Sequence, residues 1–330
     1  MGARHHNGRL APRRVRRFIY RNGEVQQESD RLVNAAVSDE LTWLDIQNPT
    51  PTDIEGIQRI ANWHPLILED IHQKLQRPKV IEYEDTLLIV FYAASVVGGR
   101  VVLTELLLLA ARHFFVTIHW HEIPEIDEAI ARWQKNEAVI GSNGTGVMLY
   151  SLLDTIVDGY FPVLDAIADH VEWIEAAVFR GQQIRDLRPS LAVRTDLQRL
   201  RRVAGPCRDV ILQVIRHEAP VFGQQMSIFF QDIYDHMQRV VDSIDAQRDL
   251  IVSIADVSLT IVSNNLNDVM KRLTAYATIL MLVTLITSIY GMNFEYIPLL
   301  HEPWGVFFIL GVMAAVAAGL FYWFRRVDWL

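Results

Sequence analysis

The chain has 330 residues, is 51% hydrophobic and carries a formal net charge of −8, with a mean hydropathy of +0.14, so an acidic water-soluble body must accompany an apolar remainder. Its single cysteine, Cys207, excludes a disulfide framework or a thiolate metal cluster within one chain, and reads as a residue on a helix face. No Gly-rich phosphate loop, zinc-hydrolase helix motif or nucleophile–base pair is present, which removes the corresponding enzyme classes, and no basic patch with interleaved aromatics points to nucleic acid.

Residues 1–14 read as a disordered basic tail; the run Arg4, Arg9, Arg13, Arg14, Arg16 and Arg17 has no apolar core behind it, as a cleavable signal peptide would, and the adjacent His5-His6 is too isolated to be a metal site. Phe18-Ile19-Tyr20, Asn22-Gly23 and Glu24-Val25 form a hairpin signal, and Trp43-Leu44-Asp45-Ile46 reads as a strand. Thr50-Pro51-Thr52-Asp53 supplies an N-cap, a first-turn proline and an early acid for a short helix. A second helix starts near Pro65 and holds Leu68-Glu69-Asp70-Ile71. The β-rich stretches are Lys79 to Tyr83, Thr86 to Val97 and Arg100 to Ala111, the last two joined by Gly98-Gly99, followed by His113 to His119. Residues 15–140 thus predict a cytosolic α/β domain, a mixed α/β sandwich of the α+β class.

From about Ile123 the pattern turns helical. After the loop Gly141 to Gly146, Val147 to Phe179 and Ile184 to His217 predict a helical hairpin over residues 145–219, with Gly181 as the stop between them and Pro220 as a restart. No Pro or Gly then appears between Gly223 and Gly291, so a helix of about 65 residues, about 100 Å long, runs through a stalk at residues 220–272 into the following apolar stretch. Ile233, Met237, Val240, Ile244, Gln247, Ile251, Ile254, Ser258 and Ile261 alternate spacings of four and three along a packing seam. Asp235, Asp242, Asp249 and Asp256 recur every seventh residue; they form either a solvated face or a cation-attracting wall.

Two stretches, residues 273–294 and 304–324, contain no Asp, Glu, Lys or Arg, and each is long enough to cross a bilayer core of about 30 Å. Lys271 and Arg272 precede the first, and Arg325 and Arg326 open a basic tail at residues 325–330 after the second. The connecting loop 295–303 carries only Glu295 and Glu302, so the positive-inside rule predicts a multi-pass inner (plasma) membrane protein, in contact with lipid, with both termini cytosolic and Tyr290-Gly291-Met292-Asn293 facing outward. Asn267, Met270, Thr274, Ala277, Met281, Thr284, Ser288 and Gly291 share one narrow face of small, hydroxyl or thioether residues. Such a stripe serves helix packing or a water-lined path; its end at Asn293 beside Glu295 favours the path. With no carboxylate or lysine in the span, nothing there binds a bare ion tightly, whereas a hydrated divalent cation such as Mg²⁺ suits amide and carbonyl oxygens. Two helices cannot enclose a pore, which implies several copies.

Tyr290-Gly291-Met292-Asn293-Phe294-Glu295-Tyr296-Ile297-Pro298, the two terminal spans, the long preceding helix and the Trp329-Leu330 end resemble the CorA family of magnesium transporters. So do His64-Pro65-Leu66 with Leu68-Glu69-Asp70, Gln76-Arg77-Pro78-Lys79 and Asp232-Ile233-Tyr234-Asp235-His236, a likeness reaching from about Trp43 to the end. The resemblance implies a funnel-shaped homopentamer with a Gly291, Met292, Asn293 selectivity filter and Glu295 in an acidic entrance loop. It implies that Asn267, Met270, Leu273, Ala277, Met281, Thr284 and Ser288 line the pore, with Met270 and Leu273 as the hydrophobic constriction. It also implies that Mg²⁺ is both substrate and regulatory ligand, closing the channel when bound between subunits at Asp70 and Asp232, with Glu69 and Asp154 as a neighbouring set. Cobalt and nickel remain alternative substrates. A zinc transporter of the related branch is the nearest competitor, because His119 and His121 lie on one side of their segment if it is a strand; a non-transporting membrane scaffold is the other.

Overall fold

The computed structural model describes residues 12–21, 24–28, 40–61, 63–83, 86–135, 144–180, 188–216, 226–292 and 304–330. Of the disordered tail expected over residues 1–14, residues 1–11 lie outside the described residues, as do the Asn22-Gly23 turn, the start of the Gly141 loop, Gly181, Pro220, Asn293 and the 295–303 loop; the end of that tail is placed, with Arg13 bonded to Asp53 and Arg14 opening the first strand. The chain divides into two units, Met1–Val252 and Ser253–Leu330.

The first unit is built on a seven-stranded sheet of β1 (Arg14–Arg21), β2 (Glu24–Glu28), β3 (Thr42–Gln47), β4 (Lys79–Tyr83), β5 (Thr86–Val97), β6 (Arg100–Ala110) and β7 (Phe114–His119). Their order is β2-β1-β3-β7-β6-β5-β4. All neighbours are antiparallel except β3 and β7, which run parallel with Trp43 opposite Phe115. A parallel pair needs a long crossover. Here the crossover contains α1 (Pro51–Ala61), α2 (Pro65–His72) and the β4–β5–β6 meander, so the acids on α2 are carried by that connection.

Consecutive residues Leu87 to Ala94 of β5 and Leu106 to Ala110 of β6 are all buried, so these strands are covered on both faces and read as apolar runs rather than alternating ones. Gly98 and Gly99, at φ 58° and 72°, make the tight turn between them that side chains with a Cβ would strain. Trp43 is fully buried, packs edge-on to Phe115 at 5.2 Å between ring centres, and donates its indole N–H to Thr117 Oγ1 at 3.2 Å. Thr50 caps α1 reciprocally: its hydroxyl accepts the Asp53 N–H, and the Asp53 carboxylate accepts the Thr50 N–H. Burial opposes ionisation of Asp53, but Arg13 and Thr50 together hold its carboxyl at about 2.

The helices of this unit continue with α3 (Pro124–Lys135), α4 (Thr145–Asp158), α5 (Tyr160–Phe179) and α6 (Arg188–Arg216). The helix expected over Val147 to Phe179 is present, divided into α4 and α5 only at Gly159, whose backbone stays right-handed helical and still bonds the Thr155 carbonyl. A Cβ at Gly159 would stand 2.9 Å from Glu125 Oε1 and 3.2 Å from the Ile156 carbonyl, so this position marks a close approach of backbone to α3. This stretch is apolar enough to cross a membrane, yet 56% of its most apolar window is buried within the protein, against 6% for each of the two C-terminal candidates. Burial in a core therefore accounts for its composition. Cys207, on α6, is buried, and burial pushes its thiol up to about 12, which leaves it inert as a ligand or nucleophile.

The long helix α7 (Met226–Tyr290) is continuous over 65 residues, as the absence of Gly and Pro predicts. Its first part belongs to the first unit, where Ile233, Met237, Val240 and Ile244 are fully buried along the expected seam. Its last part and α8 (Gly305–Arg326) make up the helices of the second unit.

Candidate functional site

The apolar end of α7 is exposed over most of its surface, Tyr276, Leu280, Leu285 and Ile289 included, and has one narrow half-buried strip. Ala275, Ile279, Leu282 and Ile286 are buried or half-buried, whereas Asn267, Met270, Leu273, Thr274, Ala277, Met281, Thr284, Ser288 and Gly291 are all exposed. Ala277, Met281, Thr284 and Ser288 follow the same spacing as the buried set but displaced by two residues, about 200° around the helix, so the two sets occupy opposite faces. The Thr284 hydroxyl donates to the Leu280 carbonyl at 2.7 Å, and those of Thr278 and Thr287 likewise bond one turn back. Each hydroxyl proton is thereby satisfied inside the helix, and the oxygen lone pairs are left to accept hydrogen bonds from water. One Asp, Lys or Arg at the centre of such a span would cost about 3 kcal/mol, which the composition avoids. α7 ends at Tyr290, where the Gly291 N–H still reaches the Thr287 carbonyl at 2.9 Å. Gly291 and Met292 are placed by the structure; Asn293 and Glu295 are outside the described residues.

A second site lies in the first unit. Asp154 on α4 and Asp232 and His236 on α7 bring one ligand atom each to within 4.8 Å of one another. Asp232 and His236 meet because they are four apart on one helix. Tyr150, one turn before Asp154, packs on Phe229 and Phe230 at 5.2 Å and 6.4 Å between ring centres, which sets the register of α4 against α7. The imidazole stands 3.6 Å from Asp232 Oδ1 through Nε2 and 3.8 Å from Asp158 Oδ1 through Nδ1, too far for hydrogen bonds, and its Nδ1 is buried without a partner. Sequence reasoning named Asp154 and Asp232 but not His236 or Asp158 as members of the site; the signal available was the Asp-x-x-x-His spacing of residues 232 and 236.

Charge explains why this cluster suits a cation. Two carboxylates at such separation repel by about 3 to 4 kcal/mol at an effective dielectric of ~20, less where Asp232 meets water. Burial raises the Asp154 carboxyl above the usual range and Asp158 adds to the effect, while Arg132, whose Nη1 is 3.2 Å from Asp154 Oδ2, and His236 offset part of it. Two carboxylates and one imidazole with an orphaned buried nitrogen fit a divalent cation: the oxygens suit Mg²⁺ with retained waters, and the nitrogen adds affinity for Co²⁺ or Ni²⁺. The raised value fixes the sign of the pH dependence. Without a cation, the stability linked to Asp154 is present at low pH and lost as pH rises through its raised value. A cation binds the ionised form, so protons compete with it. Mg²⁺ is therefore expected to raise the thermal unfolding temperature of the detergent-solubilised protein more at pH ~7.5 than at ~5; an increment that ignores pH would remove Asp154 from the site.

The other two predicted acids lie elsewhere. Asp70, on α2, is buried; its Oδ1 accepts the Lys79 ammonium at 2.7 Å and its Oδ2 is 3.5 Å from the Tyr83 hydroxyl. Glu69 is exposed beside it. Among the described residues neither joins Asp154 and Asp232 in one ligand cluster. The His64 ring caps α2 by accepting the Leu66 N–H and stacks on Tyr83, which accounts for the His64-Pro65-Leu66 run as a helix start. His119 ends β7 as a buried residue, 3.2 Å from Asp45 Oδ1, whereas His121 is exposed past the strand end. Burial opposes ionisation of Asp45, but His119, Arg16 and Thr117 hold its carboxyl below the usual range. This knot is internally satisfied, so the histidine pair is structural rather than a zinc site.

A family model described as CorA-like Mg²⁺ transporter protein matches residues 38–326. The cobalt/magnesium transport protein CorA of Thermotoga maritima is 33% identical over 294 residues, covering 88% of this chain and 83% of that protein. The protein of the same name from Methanocaldococcus jannaschii is 26% identical over 295 residues, covering 88% and 92%. The complete structure of the CorA magnesium transporter from Methanocaldococcus jannaschii superposes with a TM-score of 0.84 at 23% identity, over 96% of this chain and 98% of that one.

Proposed function

Because this chain belongs to the CorA-like Mg²⁺ transporter family, with two apolar helices that make it a multi-pass membrane protein and no catalytic role, we propose that it conducts hydrated divalent cations, Mg²⁺ foremost, into the cytosol through a homopentameric pore. The observation that carries this reading is the stripe of small, hydroxyl and thioether residues on one face of α7 from Asn267 to Gly291, which from residue 273 on runs through a span without Asp, Glu, Lys or Arg. Five such stripes enclose a column whose oxygens and thioethers contact the water shell of an ion rather than the ion itself, so the cost of dehydrating Mg²⁺ is avoided. Asn293, with Gly291 and Met292, selects at the outer mouth, Glu295 concentrates cations there, and Met270 and Leu273 close the column by dewetting.

Regulation follows from the acids of the first unit. Cytosolic Mg²⁺ at Asp154 and Asp232, and at Asp70 with Glu69 where subunits meet, offsets carboxylate repulsion and holds the closed arrangement; loss of the ion shifts the population toward the open one. Purified protein in liposomes is expected to pass Mg²⁺, and Co²⁺ or Ni²⁺, independently of a pH gradient. Zn²⁺ flux that requires the gradient would favour the zinc branch, and absence of any flux would leave a membrane scaffold.

A further inference from the structure

The run Gln76-Arg77-Pro78-Lys79 has no part in the pore, yet the structure wraps it around one residue. The Gln76 side-chain amide donates to the Asp70 carbonyl at 2.6 Å and to the Gln73 carbonyl at 2.8 Å. Glu105, buried on β6, accepts the backbone N–H groups of Leu75 and Gln76, each at 2.7 Å, fixing the connection whose Leu75 sits at φ 60°. Pro78 leads into β4, and Lys79 and Tyr83, four apart on that strand, present their polar ends to the same carboxylate. The backbone of Asp70 is therefore clamped by Gln76 and its charge is met by Lys79.

We propose that Lys79 is a tethered counter-ion that competes with divalent cations for Asp70 and so sets the cation concentration at which that carboxylate is engaged. A second cation close to an ammonium only 2.7 Å from Oδ1 is repelled unless the lysine withdraws. Withdrawal is open to it: about a third of the Lys79 side chain is exposed, its stem is flexible, and water takes over its solvation, whereas Asp70 stays in place on its helix. The proposal rests on the reading of Asp70 as a regulatory ligand.

The test measures uptake by the full-length protein in liposomes against internal Mg²⁺. Lys79→Met is expected to lower the half-inhibiting concentration about fivefold, since one partly exposed ion pair no longer has to be displaced. Lys79→Arg should leave it unchanged or raise it. Arg77→Met removes an equal charge from an exposed neighbour without a contact to Asp70 and should shift it less than about twofold. In an Asp70→Asn background the effect of Lys79→Met should vanish. Inhibition unaltered by Asp70→Asn alone would overturn the regulatory reading of that residue and this proposal with it. If Asp70→Asn weakens inhibition but Lys79→Met leaves it unchanged or raises the half-inhibiting concentration, or if Arg77→Met shifts it equally, the competition alone is overturned.

Discussion

Replacing Asn293 with Ala is expected to abolish cation uptake, by at least about a hundredfold in initial flux, while the protein still extracts and elutes as the parent oligomer. The physical case starts from the span below it: residues 273–292 carry no Asp, Glu, Lys, Arg or His, so the column has no charged site to compensate for a lost ligand ring at its mouth. Mg²⁺ sheds its waters reluctantly, and selection then depends on acceptors that hydrogen-bond the hydrated ion. A ring of amide oxygens does so without a net charge that would trap the ion; a ring of methyl groups does not, and leaves an apolar constriction facing water. Assembly is expected to rest on the helices and not on this single residue. Normal uptake by the variant would end the filter role, and a dissociated oligomer would show that the residue holds subunits together instead.

The second large effect is on inhibition. Asp232→Ala is expected to raise the internal Mg²⁺ concentration needed to halve uptake by at least about tenfold, with uptake at low internal Mg²⁺ retained. Asp232 is the most open member of its cluster, with 60% of its side chain exposed, so it is available both to Asp154 and His236 and to a neighbouring subunit. Removing it takes away one of two ligand carboxylates and relieves much of the repulsion that a cation would otherwise offset, so binding loses its driving force from both sides. Inhibition curves that superpose on the parent would remove Asp232 from the sensor.

The architecture was largely legible in sequence where the deciding forces are local. Gly98-Gly99 between two β-branched and leucine-rich runs marks a hairpin through backbone freedom alone, and Thr50-Pro51-Thr52-Asp53 carries its own cap; both elements stand where they were expected. The reason for Gly159 is not local: only the packing of Glu125 beside it shows why that position in an apolar helical run has no side chain. The stripe on α7 was visible by its spacing; within one chain most of the span is exposed, with only Ala275 buried and Ile279, Leu282 and Ile286 half-buried, so the packing of this face belongs to contacts beyond the single chain.

The membrane spans, the continuity of the long helix and the family belong to the sequence by itself, because length, absence of charge and absence of Gly or Pro act residue by residue on a helix and a bilayer. The pairing of Asp154 with Asp232 and His236, and of Asp70 with Lys79, belongs to the tertiary structure. A carboxylate on a helix has the same local propensity whether it ends beside another acid or beside an ammonium. The packing of Tyr150 on Phe229 and the path of the chain from α2 into β4 decide which partner it meets: Asp154 stands between Arg132 and the acids of its cluster, Asp70 against Lys79.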